Sequence, residues 1–171
     1  GGEMHVSDFT DQVHPLCSTF IETGQALGWR HTLDFNGAEH EGVGLWQMTI
    51  KNSRRVSAAS AFLRPALTRA NLQVRTGAHV TRLLFDSASG LRASGAECRI
   101  GGALVVFKAR REVIVSGGAI NSPQLLQLSG IGDGAALQAL GIAARVHAPQ
   151  VGQGLQDHLC VSHFYKSKLR T

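Results

Sequence analysis

The sequence predicts a mixed α/β fold, in which helices alternate with short strands around one antiparallel sheet. Apolar residues recur at helical spacing near the N-terminus, and three strand-like segments follow one another between residues 78 and 109. A third observation is a strand–glycine–helix pattern over residues 112–130. The chain has 171 residues, of which 43% are hydrophobic, and this is enough for one core or for parts of two.

The first helix is predicted from apolar spacing within residues 9–27. Pro15 places its start near that residue, because proline is favoured in the first helical turn and breaks a helix further along. Gly28 ends it. The next segment, residues 29–44, is rich in glycine, histidine and acidic residues and contains the turn Asp34–Gly37. Its length predicts a loop that is either ordered for a function or mobile.

A strand and a second helix are predicted to follow this loop. Val43–Lys51 alternates in a way that indicates a strand, and Asn52-Ser53 breaks it. Ser57–Arg69 predicts a helix. Pro65 lies inside this pattern, so we expect a stop or a kink near Arg64.

The sequence after the second helix predicts strands. The last three of them are expected to form an antiparallel meander, because their connections are short and Gly-Gly is a good signal for a two-residue hairpin. The predicted strands are Asn71–Arg75, Ala78–Phe85, Leu91–Ile100 and Ala103–Ala109, with turns at Asp86–Gly90 and Gly101-Gly102.

The stretch from Arg110 to Gly132 organises the chain. Glu112–Ser116 predicts a buried strand, and Gly117-Gly118 predicts a turn where the backbone can approach a ligand closely. Asn121-Ser122-Pro123 has the composition of a helix start, and Gly130 ends that helix. Such a unit can present backbone N–H groups to an anion or a dinucleotide, but it is also an ordinary component of α/β proteins.

The C-terminal part predicts short elements. Gly130–Gly134 resembles a dinucleotide fingerprint superficially, but a helix precedes it, so these glycines are interpreted as a helix end and a turn. The remaining predictions are a helix at Ala135–Leu140 ended by Gly141, a strand at Ala143–His147, a loop at Pro149–Gly154 and a strand at Leu159–Tyr165.

Composition excludes several classes of function. Charged residues make up 17% of the chain, the net charge is +5, and basic residues are dense only at Lys166–Arg170, so no nucleic-acid partner is expected. Cys17, Cys98 and Cys160 are far apart in sequence, which predicts free and mostly buried thiols in a reducing, cytoplasmic compartment. No apolar run approaches the ~18 residues of a membrane span, so no integral membrane segment is expected and only peripheral membrane association stays open.

The residue identities from Gly118 onward are more specific than the strand–glycine–helix pattern alone. Gly118–Gly132 resembles the second signature of the glucose–methanol–choline (GMC) oxidoreductases, and further segments resemble the choline dehydrogenase-like branch in the expected order. Gly117 stands where the family usually has alanine, and Gly154 where it usually has asparagine. The matching signature positions are Gly118, Ala119, Ser122, Pro123, Leu125, Leu126, Ser129, Gly130, Ile131 and Gly132. The further segments are Asp34–Gly37, Arg54–Pro65, Val80–Leu83 and Gly152–His158.

This resemblance implies an FAD-dependent enzyme that oxidises a primary or secondary, choline-like alcohol to an aldehyde or ketone, and it leaves the electron acceptor open. It implies that the chain is a central fragment. Residues 1–70 would be part of the substrate domain, 71–145 part of a Rossmann-like FAD-binding domain, and 146–171 the return into the substrate domain. The family's Gly-x-Gly-x-x-Gly lies upstream of the matched segments, so the isolated chain is expected to be inactive and to bind FAD weakly or not at all.

The resemblance also implies a set of cofactor-binding residues. The family valine that corresponds to Val80 makes backbone hydrogen bonds to adenine, and the segment that corresponds to Ser116, Gly117 and Gly118 passes the adenosine side of FAD. The family's catalytic histidine lies in a C-terminal region that no segment of this chain matches. We therefore assign no catalytic residue, and we expect His158 either to be structural or to support residues that contact the cofactor or substrate.

Three other interpretations are weaker. A metal site at Asp157, His158, Cys160 and His163 is disfavoured, because a strand would point Cys160 and His163 to opposite faces. A serine hydrolase is disfavoured because no Gly-x-Ser-x-Gly is present. The competing hypothesis is a non-catalytic, stand-alone binding module, which predicts a self-sufficient core with few exposed apolar patches, whereas a fragment predicts a broad apolar surface.

Overall fold

The computed structural model describes residues 2–86, 91–166 and 168. The chain divides into two compact units, Gly1–Val74 and Arg75–Thr171. Both helices and strands are present, so the expected mixed α/β class is confirmed. Each unit is described in turn.

The first unit begins with a 3-10 turn at Thr10–Gln12 and helix α1 at Pro15–Ala26. The α1 start agrees with the prediction, because Pro15 occupies the first turn and the His14 ring accepts the Leu16 N–H at 3.2 Å. Gly28 follows the helix with a left-handed φ of 92°.

The loop after α1 is ordered by hydrogen bonds between its two ends. Thr32 N–H donates to the Val43 carbonyl at 3.0 Å, and the Thr32 hydroxyl donates to the Glu41 carbonyl at 2.7 Å. A Cβ on Gly44 would overlap the Thr32 carbonyl oxygen, so only glycine permits this approach. The predicted turn Asp34–Gly37 is present, with Gly37 N–H bonded to the Asp34 carbonyl at 3.1 Å.

The predicted strand Val43–Lys51 is largely wrong. Only β1, Ile50–Lys51, forms a ladder, with β2 at Arg54–Arg55. The connecting residues Asn52 and Ser53 have left-handed φ values of 50° and 57°, which is the conformation of a two-residue hairpin turn. Earlier in the segment, Val43 and Met48 make only isolated bridges, to His31 and Ser7.

The second predicted helix is shorter and less regular than expected. A π-helix at Ala59–Leu63 continues into α2 at Arg64–Ala66, so the irregularity predicted near Arg64 is confirmed. Pro65 has no N–H for a regular helical bond, and wide turns accommodate such interruptions. The predicted strand Asn71–Arg75 is wrong, because this segment forms no ladder.

The second unit contains the predicted meander. Its sheet has the order β3-β4-β5 and is antiparallel throughout, with strands Ala78–Phe85, Ala93–Ile100 and Ala103–Lys108. Gly101 and Gly102 have φ values of 56° and 87°, so the predicted hairpin turn is confirmed. The predicted turn Asp86–Gly90 lies mostly outside the described residues.

Helix α3, Gly118–Leu128, starts earlier than Asn121-Ser122-Pro123 predicts. Gly117 precedes it, Pro123 lies inside it, and the Ser122 hydroxyl accepts the Gly117 N–H at 2.9 Å instead of capping its own turn. Gly118, at φ 86°, lets the chain turn into the helix before the proline is reached. The helix ends before Gly130, as predicted.

The predicted buried strand Glu112–Ser116 is wrong in this structure. The segment forms no ladder with any described strand, and Ile114 is 77% exposed. The predicted strand Leu159–Tyr165 is wrong for the same reason, since Leu159 is 95% exposed. Both segments have the apolar sequence of a buried strand, but such a strand also needs a neighbour to pair with.

A small parallel β-α-β unit follows α3. It consists of β6 at Ile131–Gly132, α4 at Gly134–Ala139 and β7 at Val146–His147. The helix and its end at Gly141 agree with the prediction, and β7 confirms only the end of the predicted strand Ala143–His147. The segment Gly130–Gly134, interpreted as a helix end and a turn, also contains the short strand β6.

The chain exposes much more surface than a self-sufficient domain of its size. Its accessible surface is 14310 Å², against about 8,100 Å² expected for a folded monomer of this mass. Many large apolar side chains are exposed, including Phe20, Ile114 and Phe164. The described buried core is correspondingly small and comprises Ile21, Leu83, Cys98 and Leu137.

The cysteine prediction is confirmed in part. Cys17, Cys98 and Cys160 are free thiols, but only Cys98 is buried. Cys160 is exposed because the segment that carries it packs against no strand.

Candidate functional site

The Ser116–Gly118 turn lies at the N-terminus of α3 and is exposed. Gly118 has a φ of 86°, and a Cβ built on it would meet nothing within 4 Å. The peptide at Gly118 is therefore open to a ligand from the side that a side chain would otherwise occupy. Gly117 has an ordinary φ of −81°, which residues other than glycine can adopt, but an added Cβ would lie 3.2 Å from Asn121 Cβ, a tight contact that requires a small shift of that side chain.

Helix α3 is fastened to strand β3 by Ser129. The Ser129 hydroxyl donates to the Leu125 carbonyl at 2.6 Å and accepts the Leu83 N–H at 2.8 Å. Ser129 is only 5% exposed, so water does not compete for these bonds. This hydrogen bond joins the signature helix to the strand that carries Val80, at the opposite end of α3 from the glycine turn.

Val80 lies in β3, pairs with Cys98 and is exposed. Because β3 is an edge strand of its three-stranded sheet, one side of its backbone is not used by the ladder. The register shifts after Val80, where Thr81 forms a β-bulge.

The bulge carries a polar cluster around Glu97. The Thr81 hydroxyl lies 2.8 Å from Glu97 Oε1, and Arg82 Nη2 donates to Glu97 Oε2 at 2.8 Å. The hydrogen bonds from Arg82 and then from Thr81 lower the pKa of the Glu97 carboxyl, and the bond to Glu97 raises the pKa of Arg82. The sequence signalled none of these contacts, because they join residues that only the register brings together.

The loop at Pro149–Gly154 is also held by α3. Gln127 Nε2 donates to the Val151 carbonyl at 3.0 Å, and a Cβ on Gly152 would come within 2.7 Å of the same nitrogen. Gly154 has a left-handed φ of 64°. Glycine and asparagine are the residues that tolerate this conformation best, which explains physically why either can occupy the position.

The glycines of residues 130–134 are not arranged for a nucleotide. Asp133 Oδ1 accepts the Ala136 N–H at 2.9 Å, and His147 Nδ1 lies 3.1 Å from the Gly134 nitrogen, which donates to it. The start of α4 is thus capped by this chain's own side chains. The interpretation of these glycines as structural agrees with this geometry.

The remaining features are an aromatic pair, an apolar groove and the residues weighed above for a metal site. Trp46 stacks on Phe35, with ring centroids 4.8 Å apart, whereas Phe62 borders a separate apolar groove of about 580 Å³. Asp157 and His158 are exposed, with His158 Nδ1 3.6 Å from Asp157 Oδ1. Within residues 2–86, 91–166 and 168, no three His, Cys, Asp or Glu side chains are grouped as metal ligands, and no helix is long and apolar enough to cross a membrane.

A family model described as GMC oxidoreductase matches residues 1–160. The chain belongs to the GMC oxidoreductase family. Human mitochondrial choline dehydrogenase is 50% identical over 146 residues, which cover 85% of this chain and 24% of that protein. The oxygen-dependent choline dehydrogenase of Rhizobium johnstonii is 44% identical over 172 residues, 99% of this chain and 30% of that protein. The chain thus spans 24–30% of the length of these curated relatives.

Solved structures show the same fold. Pyridoxine 4-oxidase from Mesorbium loti superposes with a TM-score of 0.80 at 33% identity, over 88% of this chain and 29% of that one. A formate oxidase of Aspergillus oryzae, studied for its FAD modification, superposes with a TM-score of 0.82 at 27% identity, over 92% and 27%. This GMC segment therefore has the fold of part of a flavoprotein, and the family supports FAD in the intact protein.

The described residues fit the adenosine half of FAD in two respects. The open peptide at Gly118 permits a close approach, and β3 presents an unpaired backbone edge near Val80. Both features offer backbone groups rather than charged side chains, which suits an uncharged purine and ribose.

Proposed function

We propose that the protein containing this chain oxidises a small, choline-like primary or secondary alcohol, and that this chain supplies the adenosine side of its FAD site. Bound FAD would accept a hydride from the alcohol carbon, leaving an aldehyde or ketone. The proposal is supported by the family match over residues 1–160 and by choline dehydrogenase relatives at 44–50% identity.

The residues of this chain would bind and orient the cofactor. The Val80 backbone would hydrogen-bond the adenine edge, and Ser116, Gly117 and Gly118 would border the adenosine. Ser129 would keep α3 and β3 together while the ligand is bound, because it joins them through a buried hydrogen bond. None of the described residues is assigned the proton transfer from the alcohol hydroxyl.

The observation that carries this proposal is the exposed Gly118 turn at the start of the signature helix. The large apolar surface supports the accompanying proposal that the chain is a central part of a larger enzyme. The accessible surface of 14310 Å² exceeds the expected value by about 6,000 Å². A stand-alone binding module would require few exposed apolar patches, and this surface does not favour it.

The first test compares two glycines in the full-length protein. Gly118 and Gly102 both have left-handed φ values, 86° and 87°, with nothing within 4 Å of an added Cβ. Gly118→Ala and Gly102→Ala therefore impose similar backbone strain, but only Gly118 lies in the proposed site. We expect Gly118→Ala to lose bound flavin and Gly102→Ala to retain it, measured as flavin absorbance per protein. Equal flavin content in the two variants would contradict the assignment.

The second test uses the isolated 171 residues. We expect no stoichiometric yellow flavin and no dye-linked alcohol oxidation, because the phosphate-binding loop and the catalytic base that the family uses are not found in this chain. Stoichiometric flavin in this chain alone would refute the prediction.

A further inference from the structure

We propose that Thr81 and Glu97 are positioning residues for the purine end of the cofactor. The inference rests on the proposed function, which places the Val80 backbone at the adenine edge. It goes further by assigning the selectivity for adenine to the β-bulge that follows Val80.

The bulge lies directly beside Val80. Val80 pairs with Cys98 and Arg82 pairs with Glu97, so Thr81 is the extra residue of β3 in this register. A bulge bends its strand and re-aims the neighbouring backbone. The orientation of the Val80 peptide therefore depends on how the bulge is held.

The Thr81 hydroxyl holds the bulge to the opposite strand. It lies 2.8 Å from Glu97 Oε1 and 3.1 Å from the Glu97 carbonyl oxygen. The Glu97 side chain is only 14% exposed, and Arg82 occupies its other carboxylate oxygen at 2.8 Å. Thr81 and Arg82 contact different carboxylate oxygens of Glu97, so the hydrogen bond to Thr81 and the ion pair to Arg82 can be removed separately.

The other side of the bulge is fixed as well. The Leu83 N–H is bonded to the buried Ser129 hydroxyl, which anchors β3 to α3 two residues after Thr81. A change in the bulge is therefore expected to displace the Val80 side, since the Leu83 side is held. In this arrangement, the contact between Thr81 and Glu97 determines the orientation of the Val80 backbone.

The test measures adenine selectivity in the full-length apoprotein. Adenine donates from its 6-amino group and accepts at N1, whereas hypoxanthine presents the opposite pattern, so backbone recognition should favour FAD over its inosine analogue. Dissociation constants for both dinucleotides are measured by fluorescence titration, with the melting temperature of each apoprotein recorded separately. The variants are Thr81→Val, which keeps the shape without the hydroxyl, Thr81→Ser, which restores it, and Arg82→Met, which removes only the ion pair.

We expect Thr81→Val to reduce the preference for FAD about three- to tenfold, the effect of one hydrogen bond. Thr81→Ser and Arg82→Met should keep the wild-type ratio. Glu97→Ala removes the carboxylate acceptor and leaves the residue-97 carbonyl oxygen, which lies 3.1 Å from the Thr81 hydroxyl. It should also lower the ratio, and it is the second variant if Thr81→Val does not fold. A lower melting temperature with an unchanged ratio would make the bulge merely structural and overturn the proposal.

Two further outcomes also count against it. An equal loss of the ratio in Arg82→Met would assign the effect to the charge pair instead of the hydroxyl. Equal binding of both dinucleotides by the wild-type protein would instead refute the placement of Val80 at adenine. It would therefore also refute the adenosine site assigned in the proposed function.

Discussion

Ser129→Ala tests the contact that fastens the signature helix to the meander. The substitution removes a hydroxyl that donates to the Leu125 carbonyl and accepts the Leu83 N–H. The Leu125 carbonyl keeps a second partner, the Ser129 N–H at 3.1 Å, so its loss is small. The Leu83 N–H is left in a buried position without an acceptor.

The unsatisfied Leu83 N–H determines how much the free energy of unfolding should fall. Leaving a buried donor unsatisfied costs about 1–3 kcal/mol, so we expect the free energy of unfolding to fall by about 2 kcal/mol. Ser122→Ala is the matched control, because its hydroxyl accepts the exposed Gly117 N–H at 2.9 Å. Water can replace that bond, so we expect a loss of about 0.5 kcal/mol.

The assay is urea unfolding followed by far-ultraviolet circular dichroism, together with amide hydrogen exchange. Tryptophan fluorescence is unsuitable for this contact, because Trp29 and Trp46 both lie in the first unit, whereas Ser129 and Leu83 lie in the second. Exchange at the Leu83 amide should accelerate in Ser129→Ala and stay slow in Ser122→Ala. If the two variants lose equal stability, or if Leu83 exchange is unchanged, the hydrogen bond does not join the helix to the strand as argued.

Three further predictions follow from local geometry. Gly95→Ala should cost more than about 2 kcal/mol, because its Cβ would overlap the Phe107 carbonyl oxygen, whereas Gly101→Ala, with open space, should cost about 1 kcal/mol in the same urea assay. Asp133→Ala should lose about 1 kcal/mol by removing the cap of α4, and an unchanged free energy of unfolding in the same urea assay would contradict this. Since the fold lowers the pKa of Glu97, the stability its carboxylate contributes is present above the ordinary glutamate pKa of about 4.3 and is lost as pH falls through the lower folded value. The stability difference between wild type and Glu97→Gln should therefore be complete at pH 7 and shrink in acid, and a pH-independent difference would refute it.

The predictions that succeeded rest on local chemistry. Pro15 started α1, Gly28 and Gly130 ended helices, and Gly101-Gly102 formed a hairpin turn, because each conformational preference belongs to the residue itself. The meander could be predicted for the same reason, since its strands are joined by short connections.

The predictions that failed concern segments that need a partner. Glu112–Ser116 and Leu159–Tyr165 have strand-like composition, but no described strand lies beside them. Val43–Lys51 alternates as a strand would, but only Ile50–Lys51 forms a ladder, while Val43 and Met48 make isolated bridges. The start of α3 was misplaced because Gly118 turns the chain four residues before Ser122.

The sequence by itself determined the family, the mixed α/β class and the glycine turn proposed to border the cofactor. These follow from residue identity and from contacts between near neighbours, which the sequence records directly. Only the tertiary structure decided that Ser129 holds Leu83 and that Thr81 forms a bulge against Glu97. Those contacts join residues 46 and 16 positions apart, and hydrogen bonds over such separations depend on strand register and helix packing, which no local preference specifies.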